Sequence, residues 1–145
     1  FISMQDHYNL LYREEEREMI PLCRDLGIGI IPWSPLARGL LTRTRNTAHA
    51  TLRSTTDEYA HQLYTLDDLA AVDALTAVAD KRALPTAQVA LAWLLGKPGI
   101  TAPIIGATKT KHLDDAVAAL DIALDEDDVN RLEASYRPHP IRGHE

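Results

Sequence analysis

Short apolar runs and amphipathic stretches alternate along the chain. Residues 1–5 form a strand-like run, an apolar stripe with helical spacing predicts a helix over 13–26, and residues 28–31 predict a second strand. Pro21 predicts a kink or an irregular first half in this helix, because proline lacks the N–H group that an interior position needs. The strand at 28–31 has no polar alternation, which is typical of parallel strands covered on both faces. The order strand, helix, strand indicates an α/β fold.

The rest of the chain predicts more helices and one further strand. Residues 42–65 are polar and lack sustained periodicity, which predicts a long surface loop. Residues 101–105 predict a short strand, and the tail at 137–145, with two prolines, is predicted to be flexible. The remaining periodic stretches predict helices at 66–82, 86–95, 109–120 and 124–136. The second of these is apolar nearly all round, so we expect it to be buried on most sides.

Two loops that follow predicted strands carry the candidate chemistry. Ligands of parallel α/β folds collect at the carboxyl ends of strands. A strand that ends in glycine just before a helix also exposes backbone N–H groups and the positive end of the helix dipole, which favour an anion. Taken alone, the second loop is better explained as an ordinary turn with solvated lysines, but together the two loops indicate one phosphate-containing ligand. The candidates are Trp33, Ser34, Pro35, Leu36 and Arg38 in the first loop, and Gly106, Ala107, Thr108 and Lys109 in the second.

Several of these side chains have two interpretations. Trp33 is either a core aromatic or a flat surface on which a ring stacks, and its place between two prolines after a strand favours stacking. Gln5 either binds a carboxamide or satisfies a neighbouring loop. Trp93 lies in the all-apolar helix and is assigned to packing, and Cys23 is expected to be a small buried hydrophobe.

Composition removes several classes of function. The 145 residues are 46% hydrophobic, enough for the core of one domain, and the net charge of -6 argues against a nucleic-acid surface. No apolar stretch is long enough to suggest a membrane span, and no signal-like segment opens the sequence. The histidines lack the spacing of a metal site. A single cysteine favours a reducing, cytoplasmic location.

Three motifs resemble the aldo/keto reductase family. They are MQDHYNLL at 4–11, IPWSPLARGLL at 31–41 and PIIGAT at 103–108, and they resemble the regions of the sixth, seventh and eighth strands of that family. The resemblance covers residues 1 to about 136, which would form one domain, and it matches only the family's carboxyl-terminal half. It implies a partial (β/α)8 TIM barrel, with about the last three βα units and a C-terminal helix.

The resemblance also implies a cofactor, NADPH, and a role for each candidate residue. Gln5 would hold the nicotinamide carboxamide and Trp33 would stack on the nicotinamide ring. The loop at 34–38 would border the pyrophosphate. The second loop, with His112 and Asp115, would surround the adenosine and its 2′-phosphate. His112 stands where the family usually has Arg or Gln, and Ala116 where it usually has Asn, so the contacts that select NADP over NAD differ here.

The family's catalytic Asp, Tyr, Lys and His lie on its first four strands, so we assign no catalytic residue in this chain. The expected function is that of the cofactor-binding half of a reductase that transfers hydride between NADPH and an aldehyde or ketone. The expected partners are this carbonyl substrate and either a missing amino-terminal half-barrel or an oligomer partner. The alternatives are a non-catalytic nucleotide-binding or regulatory module of the same family, and a small α/β domain whose loops bind nothing.

Overall fold

The computed structural model describes residues 1–43 and 63–141. Strands β1 (Ser3–Met4) and β2 (Gly29–Ile30) pair in parallel, and single parallel bridges add a third segment next to β2 at Ile100 and Ile104. The ladder continues beyond the strands, because the N–H of Trp33 donates to Asp6 O at 2.9 Å and that of Ile104 to Pro32 O at 2.8 Å. The three parallel segments that the sequence predicts are therefore present, although the regular strands are shorter than expected.

Within the described ranges, five α-helices pack around these segments. They are α1 (Met19–Asp25), α2 (Leu69–Arg82), α3 (Thr86–Leu95), α4 (Thr110–Ala118) and α5 (Glu126–Glu133). Each lies within a stretch predicted to be helical, and α3 matches its predicted bounds. Of the predicted loop at 42–65, residues 44–62 lie outside the described part of the chain.

The helix predicted over 13–26 is split. A 3-10 turn at Glu14–Glu16 comes first, and α1 begins only at Met19. Pro21 therefore lies in the first turn of α1, where its missing N–H breaks no helical hydrogen bond. The prediction of an irregular first half is confirmed.

Helix α3 lies at the centre of the packing. Its residues from Gln88 to Leu94 are all buried, and Trp93 is 2% exposed. Cys23 is buried on α1. The prediction of a helix buried on most sides is confirmed, as is the assignment of Trp93 to packing.

Helix α4 leaves its apolar face uncovered. Leu113 is 50% exposed and Val117 57%, and Leu120 in the 3-10 turn that follows is 67% exposed. Phe1 and Ile2, which precede β1, are also exposed. Large apolar side chains at helical spacing normally pack against another element, so in the described chain this face has no partner element.

The segment after α5 packs on the start of the chain. The buried carboxylate of Glu14 accepts hydrogen bonds from the Tyr136 hydroxyl at 2.6 Å and from the His139 N–H at 2.8 Å. The His139 ring lies 2.9 Å from Asp68. Residues 137–141 have no regular secondary structure and residues 142–145 lie outside the described chain, so flexibility of the 137–145 tail stays a prediction.

Asp6, which follows β1, is 4% exposed, and neither carboxylate oxygen has a hydrogen-bond partner. Burial, with a smaller contribution from the nearby Glu15, raises the pKa of Asp6 from 3.8 to about 6. The folded state therefore binds a proton between these pH values that the unfolded state has lost. The free energy of unfolding therefore falls as pH rises from about 4 to about 6 and is level above that, and a difference of about two pKa units corresponds to roughly 3 kcal/mol.

We expect Asp6→Asn to remove this dependence on pH. In the wild type, this carboxyl contributes a fall in the free energy of unfolding as pH rises from about 4 to above 6. The variant should lose that contribution, which urea denaturation at pH 4.5, 6 and 7.5 measures. The exposed Asp127→Asn is the control and should keep the wild-type slope. Equal slopes in the wild type and Asp6→Asn would contradict the assignment.

Candidate functional site

A cleft of about 880 Å³ opens where the parallel segments end. β2 continues into the loop at 33–43, and the third segment continues into residues 105–109. A parallel bridge joins Trp33 to Ile104, so both loops leave the same edge of the sheet. Trp33 and Gly106 consequently line the same cleft, and the first residues of α3 and part of α4 complete its walls.

Trp33 forms one wall of the cleft and is supported from behind by two rings. The indole is half-buried and stacks on His7, with ring centroids 4.1 Å apart and an interplanar angle of 13°. His7 in turn stacks on Tyr12 at 4.3 Å and 14°. Because His7 also pairs with Trp33 through a parallel bridge, backbone and side chain together fix the indole.

The loop after Trp33 has an unusual backbone. Ser34, Ala37 and Arg38 have φ of 54°, 48° and 54°, in the left-handed region that disfavours side chains. Each such residue costs on the order of 1 kcal/mol or more, and strain of this kind clusters at ligand sites. Two hydrogen bonds to Ser34 stabilise the turn, from the N–H of Ala37 to its carbonyl at 2.9 Å and from the N–H of Arg38 to its hydroxyl at 3.2 Å.

The second loop leaves open space in the cleft. A Cβ built on Gly106 would meet no heavy atom within 4 Å, so this glycine keeps room free rather than avoiding a clash. Helix α4 starts four residues later at Thr110, with exposed Lys109 as its N-cap. The first N–H groups of a helix have no partner within it. The open space beside Gly106 and the unpaired N–H groups at the start of a helix suit an anionic ligand at this end of the cleft.

Positive charge dominates the described walls of the cleft. Arg38, Arg43 and Lys111 line it, and Asp115 is the one carboxylate among the described lining residues. Lys111 donates to both oxygens of Asp115, at 2.9 and 2.8 Å. Hydrogen bonds from Lys111 hold the pKa of Asp115 below its usual value. Lys111 neutralises Asp115, and Arg38 and Arg43 add two guanidinium groups to the described lining residues, which suits phosphate groups.

Most of the predicted binding residues line this one cleft. Gln5 is exposed just after β1 and does not line it, and neither do Ala107 and Lys109, which flank Thr108. The predicted residues that do line it are Trp33, Ser34, Pro35, Leu36, Arg38, Gly106, Thr108, His112 and Asp115.

Sequence reasoning missed part of the site. Pro85 and Thr86, at the start of α3, line the cleft, as does Arg43. The proline that precedes α3 is a signal for a helix start, but nothing in the local pattern places that start beside the other two loops. Gln88 on α3 donates to Asp115 on α4 at 3.2 Å, a contact that only the tertiary structure creates.

Within residues 1–43 and 63–141, no cluster of His, Cys, Asp and Glu side chains is arranged to hold a metal ion. In the same part of the chain, every helix is too short or too polar to span a bilayer.

The fold and the cleft define an α/β protein whose candidate ligand site lies at the carboxyl ends of parallel strands. The sequence profile of the Aldo/keto reductase family matches residues 1–137. The chain therefore belongs to the aldo/keto reductase family. Its relatives in this family are oxidoreductases.

Three fungal relatives illustrate this similarity. A Schizosaccharomyces pombe protein provisionally named aryl-alcohol dehydrogenase C977.14c is 48% identical over 99% of this chain and 40% of its own length. The aldo-keto reductase NECHADRAFT_45914 of Fusarium vanettenii is 44% identical over 99% of this chain and 39% of its own length. The versiconal hemiacetal acetate reductase of Aspergillus parasiticus is 43% identical over 97% of this chain and 42% of its own length. The chain thus spans about two fifths of the length of these relatives.

Proposed function

We propose that this chain is the carboxyl-terminal, cofactor-binding half of an NADPH-dependent aldo/keto reductase that reduces an aldehyde or ketone. The observation that carries the proposal is that Trp33 and Gly106 line one cleft at the carboxyl ends of parallel strands. The names of the relatives, which include aryl-alcohol dehydrogenases and a hemiacetal acetate reductase, favour a carbonyl or alcohol as substrate.

The residues of the cleft fit a dinucleotide phosphate. Trp33 offers a flat ring for the nicotinamide, and Arg38 offers a cation to the pyrophosphate. At the other end, the open space at Gly106 and the start of α4 suit the adenosine and its 2′-phosphate, with Lys109 and His112 as neighbouring cationic or polar groups. Gln5 would approach the carboxamide from the end of β1. When bound, the cofactor would supply the hydride, and this chain would hold and orient it.

The described tyrosines do not offer a general acid to the cleft, since none of its described lining residues is a tyrosine. The hydroxyls of Tyr8 and Tyr136 donate to Glu16 and Glu14. This supports assigning the acid–base step to a part of the protein outside this chain. A non-catalytic nucleotide-binding or regulatory module is the second candidate, and the same observation favours it equally.

A partial (β/α)8 barrel accounts for the uncovered apolar surface. We assign the exposed faces at Leu113, Val117 and Leu120 and at Phe1 and Ile2 to contacts with the missing amino-terminal half-barrel, or with an oligomer partner. An open parallel sheet needs such cover. The free, buried thiol of Cys23 fits a reducing compartment, so the proposal places the protein in the cytoplasm.

The test is calorimetric titration of the 145-residue chain with NADPH and, separately, NADH. We expect NADPH to bind more tightly than NADH, and Arg38→Gln to weaken NADPH binding about tenfold, since it removes a charge-assisted contact. Arg131→Gln, which alters an exposed cation on α5, is the control and should bind as the wild type does.

A rate assay completes the test. The chain alone should show no NADPH-dependent reduction of benzaldehyde, because the acid–base residues are assigned elsewhere. Turnover at the rate of a full-length relative would overturn that assignment. Absence of NADPH binding, with no thermal stabilisation at millimolar NADPH, would overturn the cofactor site, because a ligand at 100 times its Kd adds about 2.7 kcal/mol.

A further inference from the structure

The strained turn at Ser34 is tied to a buried residue far away in sequence. Asn9 is 0% exposed, and its amide nitrogen donates to Ser34 O at 3.0 Å and to the Tyr64 hydroxyl at 3.0 Å. The Ser34 carbonyl also accepts from the N–H of Ala37, so both of its lone pairs are used. Asn9 therefore holds this left-handed residue from outside its own loop.

The rest of Asn9 is fixed equally well. Its carbonyl oxygen accepts from the N–H groups of Leu11 at 2.9 Å and Tyr12 at 3.0 Å. With both amide hydrogens and both oxygen lone pairs engaged, the side chain has one orientation. A buried polar group that is fully satisfied in this way specifies local geometry.

Tyr64, and the amide nitrogen of Asn9 at 3.2 Å from His7 Nε2, connect the network to the ring behind the indole. Its hydroxyl accepts from Asn9 and lies 2.9 Å from His7 Nε2, to which it donates when the His7 proton is on Nδ1. His7 is the ring on which Trp33 stacks. One network thus reaches both Trp33, through His7, and Ser34, through its carbonyl.

We infer that Asn9, assisted by Tyr64, is a positioning residue that fixes the Trp33–Ser34 wall of the cleft for ligand binding. This inference rests on the proposed cofactor site. Neither Asn9 nor Tyr64 lines the cleft, so both act through the residues that do. Three of the four non-glycine residues with positive φ in the described chain lie in this loop, so fixing Ser34 from outside preorganises the whole turn.

Asn9→Asp tests the inference with a side chain of the same shape. Aspartate keeps acceptors for Leu11 and Tyr12 but loses the donors to Ser34 and Tyr64, and it sets an oxygen against the Ser34 carbonyl. We expect NADPH affinity to fall about tenfold or more while the chain stays folded. The control is Val72→Ala, which removes buried side-chain atoms from α2 at a residue that does not line the cleft, and it should leave NADPH affinity unchanged.

Tryptic cleavage after Arg38 provides a readout that needs no cofactor. Cleavage tracks the open population of the loop, and loss of a buried hydrogen bond should raise its rate about tenfold in Asn9→Asp but not in Val72→Ala. If Asn9→Asp does not fold, Tyr64→Phe takes its place, with a smaller change in the same two measurements. If the wild type does not bind NADPH, the proposed function fails, while the cleavage comparison still decides the role of Asn9.

Two results would overturn the inference. One is a positioning variant that binds NADPH and is cleaved after Arg38 as the wild type is. The other is a Val72→Ala chain that changes both measurements as much as the positioning variant does, because the effect would then follow from lowered stability alone.

Discussion

Asp128→Asn is expected to lower the free energy of unfolding by about 3 kcal/mol, because it removes the charge of a buried carboxylate that pairs with two partly exposed cations and joins two helices. Asp128 is 0% exposed and accepts from Lys81 at 2.9 Å and from Arg82 Nε at 2.5 Å. Both cations end α2, whereas Asp128 lies in the first turn of α5. An asparagine there has one acceptor oxygen and no charge for the two cations.

Urea denaturation at pH 7 measures this loss, and Asp127→Asn, an exposed neighbour on α5, should change stability little. Burial alone would raise the pKa of Asp128, but hydrogen bonds from Lys81 and Arg82 outweigh it and lower the pKa below 3.8. The contribution is therefore complete above the unfolded value and is lost as pH falls through the folded one. Equal stability of the two variants at pH 7 would show that Asp128 does not join the helices.

Trp33→Ala is expected to weaken NADPH binding roughly tenfold to a hundredfold, because it removes the ring on which the nicotinamide would stack. The indole is half-buried between His7 and the cleft, so the substitution also uncovers His7. Calorimetry measures the change in affinity, and circular dichroism checks that the variant is folded. The control is Trp93→Phe, because Trp93 does not line the cleft: it is buried in α3 and donates to Glu133. Similar affinity losses in both variants would contradict a direct role for Trp33.

The sequence predicts most of the helices and the meeting of the two loops, because these depend on local period and on the rule for parallel strands. Helix α3 is recognisable from its own apolar composition, and Trp33 and Gly106 from their position after strands. The split at 14–19 follows from Pro21 alone. Such features are set by residues close together in the chain.

Features that depend on distant contacts could not be predicted from the sequence. Asn9 looks like an ordinary loop residue, and its role depends on Ser34 and Tyr64, which lie 25 and 55 residues away. Leu113, Val117 and Leu120 show the pattern of a buried face, yet the described chain offers no element to cover them. The periodicity of apolar residues predicts which face of a helix is buried, but not which segment packs against that face.

The most direct measurement is a fluorescence titration of the Trp93→Phe chain, in which Trp33 is the remaining tryptophan of the two. If one dinucleotide lies across both loops, NADPH quenches this emission, and 2′,5′-ADP competes with NADPH without quenching by itself, because it reaches only the Gly106 end. Emission from Trp33 that stays constant while calorimetry records NADPH binding would contradict a shared site. So would a 2′,5′-ADP that binds without displacing NADPH.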